Sequence, residues 1–233
     1  MIRRIAAAFV LAVALSLIGL FAAAELRADD RRPVDVALVL AIDVSGSITD
    51  ANWRLQRDGI AAALESGDFA AALGAGQIGR TAIAVVQWGG TARVVIPFRI
   101  LTRPLDALHL AADLRALGRR ESGGTCMAGA IQSSVDELEP WTDYATRRVI
   151  DVSGDGASNC GTDVGPARAA ALAEGITING LPIVTPAEPL VDRWYEDNVI
   201  GGPGHFLIAA VGYRQFEEAM RRKLTTEIAE AAQ

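Results

Sequence analysis

Apolar residues come in blocks along this chain, and the blocks differ in period. Val34 to Ile42 is a near-continuous apolar run, interrupted by Asp35 and ending at Asp43. A strand covered on both faces reads this way. Asp50 to Leu64 changes to helical spacing, with Trp53, Ile60 and Leu64 on one face and Thr49 or Asp50 as cap. Thr81 to Gln87 is a second strand. Gly89-Gly90 breaks it and Ala92 to Phe98 follows as a third, so the two form a hairpin. Pro104 to Leu117 predicts a helix with proline in its first turn, and Thr125 to Leu138 another. Arg148 to Ser153 is the fourth strand, Pro166 to Glu174 a helix closed by Gly175, and Ile176 to Ile183 the fifth strand. A short helix over Leu190 to Asn198 precedes a sixth strand over His205 to Ala210. The chain closes in a helix with Tyr213, Phe216, Met220, Leu224 and Ile228 on its apolar face. Strands alternating with helices give an α/β doubly wound sheet of six strands. It is mostly parallel, with one antiparallel edge strand and helices on both faces.

The first residues do not belong to this pattern. Met1 to Arg4 is short and basic, Ile5 to Ala24 is apolar, and Glu25 to Asp30 turns polar. That order is a secretory signal over residues 1–28, cut after Ala24 or Ala28, ahead of one domain over 33–233. A retained anchor is the alternative, because about 20 apolar residues can span a bilayer. Either cut removes a net charge of +2 and takes the chain from −6 to −8. With no long basic run left, nucleic acid is excluded as the main partner. The expected location is periplasmic or secreted, without stable membrane insertion once the signal is gone. Cys126 and Cys160 are the only cysteines, and in an exported chain an even pair suggests one disulfide. Two buried free thiols are the alternative.

The candidate chemistry collects where strands end, which is where open α/β sheets bind ligands. Asp43-Val44-Ser45-Gly46-Ser47 leaves the first strand, Gly123-Gly124-Thr125 precedes a helix, and Ser153-Gly154-Asp155-Gly156 leaves the fourth strand. Alternation in an extended segment sends Asp43, Ser45 and Ser47 to one side. Gly46 lets the backbone turn between the serines. Thr125 adds a hydroxyl and Asp155 a second carboxylate. Five oxygen donors with no nitrogen or sulfur select a hard cation. Mg²⁺ takes few carboxylates and keeps waters, so Mg²⁺ or Mn²⁺ fits this set best, with Ca²⁺ as the alternative. Taken singly, each residue is better read as a helix cap or turn former; it is the agreement of three loops that points to a metal.

These residues resemble the Asp-x-Ser-x-Ser signature of the metal-ion-dependent adhesion site in von Willebrand factor A domains. Thr125 and Asp155 stand where that family places its threonine and second aspartate. The resemblance runs from about Val34 to the terminal helix, and is nearer still to a group of exported bacterial A-domain-like proteins. It implies a Rossmann-like sheet with the metal at its top, binding rather than turnover, and a protein partner whose carboxylate completes the metal's shell. The chain departs from the commoner pattern in reading Ser-Gly-Asp-Gly for Thr-Asp-Gly, and in placing a cysteine directly after Thr125. If the loops bearing Cys126 and Cys160 both flank the metal, a bridge between them would tie the site together.

Other signals carry less. Gly74 to Gly79 matches GxGxxG, but it follows a helix and precedes a strand, the reverse of what dinucleotide binding requires. His109 and His205 sit in no nucleophile motif. A metal-dependent hydrolase of phosphoryl or ester substrates is the rival reading; no general base stands beside the candidate site, so a non-enzyme is expected. Asp151 interrupts an apolar strand and needs a partner, either the metal ligands or an arginine such as Arg147 or Arg148. Trp53 and Trp88 read as core.

Overall fold

The computed structural model describes residues 32–120 and 123–230. The predicted signal lies outside them. Six strands form one sheet in the order β3-β2-β1-β4-β5-β6. They are β1 (Val34–Asp43), β2 (Thr81–Trp88), β3 (Ala92–Leu101), β4 (Ala145–Gly154), β5 (Thr177–Val184) and β6 (Ala210–Val211). All neighbours are parallel except β2 and β3, the predicted hairpin. The helices are α1 (Asp50–Glu65), α2 (Gly67–Leu73), α3 (Pro104–Ala116), α4 (Met127–Leu138), α5 (Val164–Ala173), α6 (Val191–Asn198) and α7 (Phe216–Glu230). None of the described helices is long and apolar enough to cross a membrane.

The first strand shows why the sheet is doubly wound. Every residue of β1 is buried. Val36, Leu38, Leu40 and Ile42 project into one core with Ile60 and Leu64 of α1, Leu110 and Leu114 of α3, and Phe216, Met220 and Leu224 of α7. Ala37, Val39 and Ala41 alternate to the opposite core with Ile131 and Val135 of α4 and Tyr195 of α6. The strand period of two thus feeds two apolar layers, and the site must lie at the strand ends.

Two expectations change. The sixth strand is only Ala210–Val211, and the chain before it makes single bridges, Ile178 to Gly201 and Gly180 to Leu207. The reason is Asn179 of β5. Its buried side-chain oxygen accepts from Phe206 N at 2.7 Å, drawing that segment onto the sheet without a regular ladder. The terminal helix starts at Phe216, while Tyr213 occupies a separate 3₁₀ turn, Tyr213–Gln215. The Gly74–Gly79 stretch joins α2 to β2. Asp35 anchors it at the amino end of β1, accepting from Ile78 N at 2.8 Å and Arg80 N at 3.1 Å. That is the end of the sheet opposite the candidate site.

Candidate metal centre

At the carboxyl end of β1 the backbone closes on itself. Ser45 N donates to Asp43 Oδ1 at 2.7 Å, Val44 N to the Trp88 carbonyl at 2.7 Å, and Ile48 N to the Ser45 carbonyl at 3.0 Å. Thr49 then caps α1, its hydroxyl accepting from Asn52 N at 3.1 Å. Ser45 Oγ lies 3.2 Å from Ser47 Oγ, and Ser47 Oγ donates to Asp155 Oδ1 at 2.7 Å. Four of the five predicted residues therefore form one hydrogen-bonded group across two loops. Asp43 and Ser45 are fully buried, Asp155 nearly so, and Ser47 is exposed, which gives the group its opening to solvent.

Thr125 belongs to the loop alongside. Gly46 N donates to the Gly123 carbonyl at 2.8 Å. A Cβ on Gly46 would come within 3.1 Å of that oxygen, so glycine serves close approach of the two loops here. Its φ is not positive, so the glycine is needed here for that approach and not for a left-handed backbone. Thr125 is locked from the far side: its N–H donates to Asn159 Oδ1 at 2.7 Å, and its carbonyl accepts from Asn159 N and Ser158 Oγ, both at 3.0 Å. Cys126 and Cys160 are joined by a disulfide, with Cα atoms 5.2 Å apart. The bridge and the Asn159 bonds join the Thr125 loop to the loop that follows Asp155. Sequence reasoning missed Asn159 and Ser158; the cysteine beside each loop was the one available signal.

The departure at Gly154 has a steric cause. A Cβ there would stand 2.7 Å from Asp43 Oδ2 and 2.9 Å from the Tyr195 hydroxyl. Asp43 thus leans across β4 into space that a side chain would fill. Asp43 Oδ2 and the Tyr195 hydroxyl are both buried without a hydrogen-bond partner. Burial pushes the Asp43 carboxyl up to about 7, with the neighbouring Asp155 charge adding to the rise against bonds from Ser45. Burial first, then the Asp43 and Asp155 charges, also raise the Tyr195 phenol. Among the described residues neither Asp43 nor Asp155 has a cationic partner. No group of three or more His, Cys, Asp or Glu that could hold a metal occurs among them either. A cation here must take hydroxyls as well as carboxylates, which suits hard divalent ions and disfavours soft ones. An orphaned buried carboxylate oxygen in an all-oxygen donor set fits such an ion.

Other residues resolve differently. Tyr213, expected on the apolar face of the last helix, packs its ring against the core and donates its hydroxyl to Asp155 Oδ2 at 2.8 Å. Among the described residues Asp151 meets neither the metal-site residues nor an arginine. Lys223 of α7 lies 2.6 Å from it, and the same ammonium reaches Glu227 at 3.4 Å. All three are buried, with Asn179 donating to Glu227. The lysine also lies over the Phe206 ring, 4.3 Å from its centroid. Trp53 and Trp88 are buried as expected. His109 is exposed on α3, and His205 Nδ1 lies 2.7 Å from the Gly202 carbonyl.

Solved structures share this fold at low sequence identity. Proximal thread matrix protein 1 from the mussel byssus, in a structure with a zinc-occupied MIDAS motif, superposes with a TM-score of 0.60 at 14% identity, covering 85% of this chain and 49% of that one. A von Willebrand factor type A protein from Catenulispora acidiphila gives 0.56 at 16%, covering 82% and 42%. BatB from Bacteroides thetaiotaomicron, a conserved hypothetical protein, gives 0.56 at 15%, covering 84% and 99%. The chain spans about half the length of the mussel byssus structures it matches. No curated protein sequence matches it. The fold is therefore that of von Willebrand factor A domains, and the chain, matched over residues 33–232, belongs to the DUF1194 family, described as a protein of unknown function.

Proposed function

We propose that this is an exported, divalent-metal-dependent protein-binding module of the adhesion or scaffold kind. Asp43, Ser45, Ser47, Thr125 and Asp155 would hold Mg²⁺ or Mn²⁺. The observation that carries the reading is the pair of carboxylates, Asp43 and Asp155, buried at the strand ends among hydroxyls with no cationic partner among the described residues. A bound divalent ion supplies the missing positive charge and an electrophilic position for a partner's carboxylate. The chain's part is to fix the donors: Ser45 N holds Asp43, Ser47 holds Asp155, and the Asn159 bonds and the disulfide hold the Thr125 loop. The zinc-occupied motif in the mussel protein supports divalent binding by this fold. The disulfide supports an oxidising compartment, periplasmic or extracellular, in agreement with the basic-then-apolar start of the chain.

The test is selection of displayed random peptides on the immobilised domain, with Mg²⁺ or with EDTA. The expected result is enrichment of peptides containing Asp or Glu in Mg²⁺ alone, lost in Thr125→Ala. Equal recovery under both conditions would contradict the reading.

A further inference from the structure

Tyr213 sits in the 3₁₀ turn between β6 and α7, at the carboxyl end of the sheet. The turn is anchored, because Gly212 N donates to the Val184 carbonyl at the end of β5 at 2.9 Å. From there the aromatic ring packs against the core and only the hydroxyl is spent on a polar contact, with Asp155 Oδ2. Asp155 is thereby held at both oxygens, Oδ1 by Ser47 and Oδ2 by Tyr213. The two donors come from opposite ends of the chain, residue 47 and residue 213, so the carboxylate's rotation is fixed by tertiary structure rather than by its own loop. A carboxylate has about four acceptor positions, so two donors still leave it able to face a cation. A tyrosine hydroxyl keeps its proton at neutral pH, so towards a carboxylate it is the donor.

We infer that Tyr213 is a positioning residue of the metal centre, orienting Asp155 for the cation without touching it. The inference rests on the metal-binding reading above. Groups that orient metal ligands from behind commonly change affinity by about 10- to 100-fold when removed. Tyr213→Phe keeps the ring and its packing and deletes only the donor.

The experiment is calorimetric titration of the full domain with Mg²⁺ and Mn²⁺, for wild type, Tyr213→Phe and Tyr144→Phe. Tyr144 lies just before β4, at the opposite end of the sheet, and serves as control. Ultraviolet difference spectra of the tyrosines are recorded through each titration. The expected result is an affinity about 10- to 100-fold weaker in Tyr213→Phe, with a metal-free melting temperature equal to wild type. The metal-induced tyrosine signal should shrink in that variant and persist in Tyr144→Phe. Wild-type binding that Tyr213→Phe reproduces within about twofold, with the tyrosine signal unchanged, would overturn the inference and leave the metal reading standing. A folded wild type that binds neither ion would overturn both.

Discussion

Strand β4 and the loop that leaves it carry two buried carboxylates four residues apart, Asp151 and Asp155, and the chain treats them in opposite ways. Asp151 is matched from within: Lys223 reaches it at 2.6 Å, and Asn179 and Glu227 complete the cluster beneath α7. Asp155, with Asp43 beside it on β1, is given hydroxyl donors and no cation among the described residues. A buried carboxylate is costly unless paired. The first cluster has a cation between its two acids and holds the last helix to the sheet; the second has two carboxylates, no cation among the described residues, and an opening at Ser47. That contrast is the physical content of the functional reading.

The comparison breaks most sharply at the internal cation. Lys223→Met leaves Asp151 and Glu227 facing each other in the core, and should cost about 3–5 kcal/mol in denaturant unfolding. Mg²⁺ should restore none of it, and a loss below about 1 kcal/mol would show that the cluster is not held by the lysine. Next is the covalent tie beside the other cluster. Replacing both Cys126 and Cys160 by Ser should lower stability by about 3–4 kcal/mol on the chain-entropy account and weaken metal affinity, because the Thr125 loop loses its anchor. Unchanged affinity would mean that the Asn159 bonds suffice.

A third effect separates the clusters by metal. At a hundredfold excess over its dissociation constant, Mg²⁺ should raise wild-type stability by about 2.7 kcal/mol, and Asp43→Asn should abolish that gain. A gain surviving in the variant would place the ion elsewhere. The last effect, the smallest for a step of one pH unit, is in pH. Asp43 and Glu227 are both raised to about 7, so the folded chain holds protons that the unfolded chain has released. Metal-free stability from these groups is therefore fully present below about pH 4 and is lost as pH rises towards 7. The Asp43 share, at most about 1.4 kcal/mol per pH unit, should be missing from Asp43→Asn and suppressed by Mg²⁺, which favours the carboxylate. Parallel pH curves for wild type and Asp43→Asn without metal would count against it.

Much of this was legible in the chain. Strands covered on both faces, such as β1, announce themselves by continuous apolar runs, and the turns between them by paired glycines. Asp43, Ser45, Ser47, Thr125 and Asp155 stood out because each follows a strand or opens a helix. What was hidden lay in long-range geometry. Lys223 and Glu227 sit four residues apart on a helix and look like a solvated pair; only Asp151, a charge inside an apolar strand, hinted at them. Tyr213 fell on the apolar period of the last helix, which conceals a phenol whose ring is core and whose hydroxyl is not. The sixth strand failed because Asn179 satisfies Phe206 from inside the sheet, a contact that no local pattern encodes. Helix α2, seven residues with three consecutive alanines, was too short to show a period.

The central claim is that the Asp43–Asp155 pair takes its missing charge from outside. The most direct measurement is calorimetric titration of the purified domain with Mg²⁺, for wild type and Asp43→Ala side by side. Saturable binding near one ion per chain, absent in the variant, is the predicted result. A well-folded wild-type domain that takes up no Mg²⁺, Mn²⁺ or Ca²⁺ would contradict it.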